Sequence, residues 1–328
     1  MKLNRTRKGA MLLALAFAAV VGVAAAPYPT KTLTFVAPSG AGGAFDTALR
    51  VITKALSDTK LVSQQMLVEA KPGGGGSVFL AEYVTRDQKN DHKLFLTSPT
   101  MLINNLKREG NSPFTYKNVT PLAQFFVDYA VIAVRSDSKY KDINSLFADM
   151  KVDPSKLSVL GGSGPGALDH LAFMLPANKA GVNPQKYISY DGKAEAMAAL
   201  LGGNGDVLSS VTASVAEFVE AGKVRVLAVN ASSRLGGVFK DVPTLTEAGI
   251  QADFVIWRGV FGPPQMSTEA RAYWVETFTK LSKTELWAQE LAKRGWDPEF
   301  LAGNDFVKRL DQQNADLKEL LTALGMAK

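Results

Sequence analysis

Short apolar runs rich in β-branched residues alternate along the chain with stretches whose apolar positions recur every three or four residues. Residues 32–37 are followed by 44–56, 66–68 by 78–84, and 94–97 by 100–106. A strand that reads apolar throughout is covered on both faces, and amphipathic segments between such strands supply the cover. The pattern therefore predicts βαβ units on a parallel sheet. It resumes further on, where 157–160 leads to 168–180, 187–190 to 194–201, and 207–211 to 213–221, with 224–229 as one more buried strand. Between the two series, residues 122–134 form an apolar run without glycine or proline, too long for one ordinary strand. This run reads as chain crossing from a first domain to a second. A comparable run, 254–261, precedes Gly262-Pro263-Pro264 and three helices at about 268–281, 284–293 and 304–324, and reads as the return crossing. The expected organisation is α/β, with one domain from 25–130 plus 255–328 and another from 131–254. Each is expected to be a mostly parallel sheet flanked by helices. Two extended linkers at the back of a cleft are how hinged binding proteins close on a ligand.

Three glycine-rich turns stand between a strand and a helix in this scheme: Pro38-Ser39-Gly40-Ala41-Gly42-Gly43, Lys71-Pro72-Gly73-Gly74-Gly75-Gly76 and Gly161-Gly162-Ser163-Gly164-Pro165-Gly166. A helix leaves its first N–H groups unpaired, so a bare glycine turn at its start is a socket for negative charge. Three such sockets with few catalytic side chains nearby point to a protein that holds an anion without transforming it. Asp46 stands where the first of these helices begins and reads chiefly as its cap. Ser98 ends the third strand. Ser209, Ser210 and Thr212 lie at the carboxyl end of another, where open α/β sheets bind ligands. In the helix at 268–281, Tyr273, Trp274, Thr277, Phe278 and Leu281 share one face, a packing stripe.

The chain starts with Lys2, Arg5, Arg7 and Lys8, then an apolar stretch over 11–23 and Ala24-Ala25-Ala26. This is the order of a secretory leader, expected to span 1–24 and to be cleaved near Ala24–Ala26. The stretch is shorter than the roughly 20 residues of a membrane-spanning helix. Export to the periplasm is the expectation. The formal charge of +6 includes the four leader cations, and without them 33 basic side chains face 31 acidic ones. That balance argues against nucleic-acid binding, which needs a concentrated basic face. The absence of cysteine excludes disulfides, thiolate metal sites and cysteine nucleophiles.

Two enzyme readings compete at the third turn. Gly162-Ser163-Gly164-Pro165-Gly166-Ala167 fits the dinucleotide pattern G-x-G-x-x-A, with Asp191 placed for a ribose. Gly161 to Pro165 nearly matches the hydrolase elbow G-x-S-x-G, with Ser163 as nucleophile and proline in place of the last glycine. An exported oxidoreductase or serine hydrolase is thus the alternative. The two histidines, His92 and His170, are far apart and lack clustered acids, so neither a metal site nor a cofactor is expected. His170 reads as a structural histidine.

Several segments taken together resemble the extracytoplasmic receptors of tripartite tricarboxylate transporters. They are Tyr28-Pro29-Thr30-Lys31, the run from Val36 through Pro38-Ser39-Gly40-Ala41-Gly42-Gly43 to Arg50, Lys71-Pro72-Gly73-Gly74-Gly75-Gly76, Asp128-Tyr129, Ile132-Ala133-Val134-Arg135, Ala199-Leu200-Leu201-Gly202-Gly203, Val224-Arg225-Val226-Leu227-Ala228-Val229 and Pro243-Thr244. The motifs keep the family's order and spacing over essentially the whole mature chain. Asp128-Tyr129 with Arg258-Gly259 is closest in pattern to the citrate receptor. The resemblance implies a two-domain, type II periplasmic Venus flytrap that works as a monomer, binds an organic di- or tricarboxylate and delivers it to a membrane permease. It carries ligand contact onto Ser39, Gly42, Gly43, Gly74, Gly75 and Gly76 in the first domain, and onto Ser163, Gly164, Asp169 and Ser209 in the second.

The sequence departs from the family at Asp191-Gly192-Lys193, where several glycines are usual. A lysine at a helix start opposes the helix dipole, and Lys193 is expected either to meet a distal carboxylate of the ligand or to stand as a solvated surface lysine. Arg258 is expected either to pair with ligand at the back of the cleft or to brace the hinge.

Overall fold

The computed structural model describes residues 28–328 apart from Asn111, Pro184, Gln185 and Asp253. The expected leader lies outside the described residues. Strands β1 (Leu33–Ala37), β2 (Met66–Ala70) and β3 (Lys93–Thr97) are parallel and lead into helices α1 (Ala44–Asp58), α2 (Ser77–Arg86) and α3 (Thr100–Leu106). β1 is apolar on both faces because α1 covers one side and α2 the other. Leu49, Ile52 and Leu56 of α1 are fully buried at helical spacing on one side, Phe79 and Tyr83 of α2 on the other.

The long apolar run is one strand, β4 (Thr120–Arg135), of 16 residues. At about 3.3 Å per residue it is about 50 Å long, enough to traverse two sheets. After β4 come α4 (Ile143–Val152), β5 (Val159–Gly161), α5 (Leu168–Lys179), β6 (Tyr187–Ser189), α6 (Lys193–Leu201), β7 (Val207–Val211), α7 (Thr212–Glu220) and β8 (Val224–Val229). The chain returns through β9 (Val255–Gly262) and ends in α8 (Thr268–Ser282), α9 (Glu285–Arg294), the two-residue β10 (Leu301–Ala302) and α10 (Asn304–Ala323). The strand order is β2-β1-β3-β9-β4-β7-β5-β6, and β8 and β10 also pair with β4.

β4 changes partners midway. Thr120 to Tyr129 lie antiparallel to β9, whereas Ala130 to Arg135 lie antiparallel to β7 and β8. β4 and β9 are thus the crossings between two lobes, each built on three parallel strands, β1–β3 or β5–β7. The strand at 224–229 joins the sheet antiparallel to β4, not as a further βαβ step. Each lobe has its own apolar cluster, around Trp274, Phe278 and Trp287 in the first and Leu160, Met197 and Leu200 in the second. A third cluster is shared: α10 packs on α3 of the first lobe and α5 of the second, through Leu317, Leu320 and Leu321.

Candidate functional site

The carboxyl ends of β1, β2 and β3 sit beside the start of β9, with Thr97 opposite Gly259, while Val211 at the end of β7 lies opposite Ala130. The glycine turns of both lobes therefore open toward the point where β4 and β9 cross, between Tyr129 and Ala130 on β4. A difference in capping marks these helix starts. α4, α8 and α9 point elsewhere, and Asp142, Ser267 and Thr284 cap them through their side chains. At α1, α2, α5, α6 and α7 the N-cap residues are Gly43, Gly76, Ala167, Gly192 and Val211, and none supplies a side-chain acceptor. Side-chain caps stabilise a helix by roughly 1 kcal/mol. Of these, α1, α2, α6 and α7 forgo that stabilisation and keep amide donors for another acceptor, whereas at α5 the Ser163 hydroxyl accepts from Asp169 N. α10 also lacks such a cap, at Gly303, away from the crossing.

The first two turns touch: a Cβ on Gly76 would lie 3.3 Å from the Pro38 Cβ, and the Lys71 N–H donates to the Ala37 carbonyl. Gly75 and Gly76 hold positive φ, 61° and 91°, which side chains disfavour. Asn104 of α3, which the sequence reading passed over, braces the second turn by donating to Gly74 O, Gly75 O and Ser77 Oγ at 3.4, 3.2 and 3.1 Å. The turns use up some of the amides the sequence assigned to ligand. Gly43 donates to Gly40 O, Gly76 to Gly73 O, and Gly42 to Asp46 Oδ2. These glycines shape the turns, and their N–H groups are spent within them. The amides of Ser39, Gly74 and Gly75 have no acceptor among the described residues.

Asp46 is 2 % exposed, and Oδ2 also accepts from Arg50 Nε at 2.9 Å. The Arg50 hydrogen bond, and then that from Gly42, holds its carboxyl below the usual range. Asp46 thus anchors the first turn from the third position of the helix; it does not cap α1, whose N-cap is Gly43. Ser98 is similarly engaged, accepting from Thr100 N and donating to Thr100 Oγ1.

In the second lobe Asp169 plays the part of Asp46. It is 1 % exposed; Oδ2 accepts from Gly162 N and Oδ1 from Lys193 Nζ at 2.6 Å, its own N–H donates to Ser163 Oγ, and its carbonyl accepts from Ser209 Oγ. Asp169, Ser209 and the Ser163 hydroxyl are therefore held inside the lobe, while the amides of Ser163 and Gly164 find no acceptor among the described residues. Tyr187 closes the turn by donating to Ser163 O at 2.7 Å. His170 Nδ1 accepts from Gly166 N, and burial brings the imidazole down to about 4, so the ring is neutral at ordinary pH.

Two hydroxyls differ from the rest. Ser210 and Thr212, 2 % and 4 % exposed, have side-chain oxygens with no partner among the described residues. Ser209 and Ser210 face opposite sides of β7 because side chains alternate along a strand. The α5 side receives Ser209, which leaves Ser210 and Thr212 on the other face at the start of α7.

At the crossing itself, Arg258 donates to Asp128 Oδ2 at 2.9 Å and to the Trp257 carbonyl, and its guanidinium lies 5.8 Å from the ring centroid of Phe45 at the start of α1. Arg258 thus ties β9 to β4 while bordering the first turn. Asp297 lies next to this pair, its backbone bridged to Val127 in both directions. Burial, followed by the charges of Asp128 and Glu299, pushes its carboxyl up to about 6. A groove of about 300 Å³ lies between α5 and α10, but of the charged groups lining it Lys179 is paired with Glu319 and Asp316 is left over, so it is ill suited to an anion. No described group of three or more histidine or acidic side chains is arranged to hold a metal ion.

Parallel-sheet lobes on two crossing strands, with uncapped helix starts converging between them, are the architecture of a solute-binding protein. The family model for the tripartite tricarboxylate transporter family receptor matches residues 49–326, and the chain belongs to that family. It is 29% identical to the UPF0065 protein in the gbd 5' region of Cupriavidus necator over 325 residues, 94% of each chain. A TctC solute-binding protein from Polaromonas superposes with a TM-score of 0.77 at 25% identity, over 90% of this chain and 99% of that one. MatC from Rhodopseudomonas palustris, solved with bound malate, gives 0.71 at 22% identity over 90% and 100%. A second R. palustris protein, solved with adipate, gives 0.75 at 21% over 92% and 99%. The protein is a periplasmic solute-binding receptor of this family.

Proposed function

We propose that the protein captures a small organic acid carrying two or three carboxylates, citrate among them, and delivers it unchanged to the membrane permease of a tripartite transporter. One carboxylate is held at the first two turns by Ser39, Gly74 and Gly75 amides and by the starts of α1 and α2. The remainder reaches the Ser163 and Gly164 amides and the Ser210 and Thr212 hydroxyls. The observation that carries this reading is the contrast between the side-chain caps of α4, α8 and α9 and the uncapped starts of α1, α2, α6 and α7 at the crossing. Neutral donors suffice because hydrogen bonds to an ionised acceptor are roughly twice as strong as neutral ones. The malate and adipate of the two structural relatives are ligands of the same class.

The lobes we assign are 25–130 plus 255–328 and 131–254, moving about the β4 and β9 crossings, and the receptor acts as a monomer in the periplasm after removal of residues 1–24. It is not an enzyme. Ser163 Oγ accepts the Asp169 N–H and His170 Nδ1 accepts the Gly166 N–H, so the two do not form a nucleophile and base. A pyrophosphate at the third turn would meet the Asp169 carboxylate, which already occupies the Gly162 amide. Calorimetric titration of the mature chain with citrate, malate and adipate tests the proposal. Saturable binding of at least one supports it, and binding of none contradicts it.

A further inference from the structure

Lys193 opens α6 directly against the third glycine turn, where a Cβ on Gly162 would lie 2.5 Å from the Lys193 nitrogen. Its ammonium bonds Asp169, whose side chain is 1% exposed, while the Lys193 side chain itself keeps 31% of its surface. Asp169 is immobilised by the Gly162 amide, Ser163 and Ser209. The ammonium is therefore fixed from behind. One of its three N–H donors is spent, and the others remain for an acceptor arriving from the cleft. The neighbouring acid on the same helix, Glu195, is turned away and accepts the Asp191 N–H. Lys193 and Asp169 form a neutral unit with its positive end outward, between the amino ends of α5 and α6, which add positive potential of their own.

We infer that Lys193 is a specificity-determining residue: it selects acids with a further carboxylate that reaches the second lobe, over monocarboxylates of the same carbon skeleton. This rests on the carboxylate-receptor reading above. The first lobe's amides grip one carboxylate whatever stands at the molecule's far end. In the second lobe the Gly162 amide is filled by Asp169, so a distal carboxylate that reaches the Ser163 and Gly164 amides also meets the adjacent Lys193 ammonium. A distal methyl group would instead strip water from that cation on closure and return no counter-charge.

The test is calorimetric titration of wild type, Lys193→Gln and Lys193→Arg with citrate, malate and adipate, using 3-hydroxybutyrate and hexanoate as monocarboxylate counterparts of malate and adipate. Thermal unfolding of each variant establishes that it is folded. Wild type should favour the polycarboxylate by about tenfold or more, the scale of one charge-assisted hydrogen bond. Lys193→Gln should lose about tenfold on the polycarboxylate that binds and change by less than about twofold on a monocarboxylate, with Lys193→Arg retaining part of the preference. Undiminished polycarboxylate affinity in Lys193→Gln, or an equal loss for both classes, would overturn the assignment of Lys193. Failure of wild type to bind any of these acids would instead overturn the carboxylate reading beneath it.

Discussion

Gly162→Ala should destabilise the second lobe while its neighbour Gly164→Ala should not. A Cβ at Gly162 would lie 2.5 Å from the Lys193 nitrogen, 2.6 Å from the Gly192 carbonyl carbon and 2.8 Å from the Lys193 Cα. All three are backbone atoms, so no side chain can swing aside. Restoring ordinary contact at 3.4 Å or more moves the start of α6 by roughly 1 Å, and overpacking of this kind costs roughly 1–3 kcal/mol. The same shift lengthens the 2.6 Å contact between Lys193 and Asp169, leaving a buried carboxylate with less compensation. A total of about 3 kcal/mol is expected, a fall in midpoint of about 6 °C for a chain of this size. At Gly164 nothing lies within 4 Å of the added Cβ, and the change should stay within about 0.5 kcal/mol. Thermal unfolding followed by circular dichroism reads both. A Gly162→Ala variant that melts with wild type, or a Gly164→Ala variant that falls equally far, would refute the packing of the third turn against α6.

Three further outcomes are expected. Thr212→Val replaces a buried, unpaired hydroxyl with a methyl of similar shape, so the free protein should gain about 1 kcal/mol while affinity for its acid falls; lost stability with unaltered binding would contradict the role of that hydroxyl. Asn104→Ala removes the brace of the second turn and should cost about 1 kcal/mol in urea unfolding and weaken binding severalfold, whereas unchanged affinity would mean the turn holds its shape alone. Asp297, raised from 3.8 to about 6, takes up a proton more readily folded than unfolded. Its contribution to stability is full below about pH 4 and is lost as pH rises through about 6. Asp297→Asn should therefore exceed wild type at pH 7.5 by about 1 kcal/mol, discounted for partial exposure, with the gap closing toward pH 4. A gap constant across that range would contradict the burial and repulsion assigned to Asp297.

The inner strands were legible because they are buried on both faces and so read as apolar runs, whereas the edge strands β2 and β6 are only partly buried, and β4 stood out because the run at 122–134 is too long for one ordinary strand. α4 went unread: its buried Ile143, Leu146, Phe147 and Met150 are spaced helically, but Asn144, Ser145 and Asp149 interrupt so short a segment. β10 has two residues and takes its identity from pairing with Gln124 and Ala123. At the site, the glycine turns were plain in the sequence, but which of their amides stay free was not. That depends on where Asp46 and Asp169 place their carboxylates, and on contacts such as Lys193 to Asp169 and Arg258 to Asp128, the latter 130 positions apart. The adjacent serines make the same point. Alternation shows that Ser209 and Ser210 face opposite ways, but only the fold decides which of them meets α5.

The central claim is that uncapped helix starts at the crossing grip an organic acid between the lobes. A crystal structure of the mature protein with whichever of citrate, malate or adipate binds tests this most directly. One carboxylate is expected within hydrogen-bonding distance of the Gly74 and Gly75 amides, with the rest of the molecule against Ser163, Gly164 and Thr212. A ligand seated in the groove between α5 and α10, with the turns facing only solvent, would contradict it.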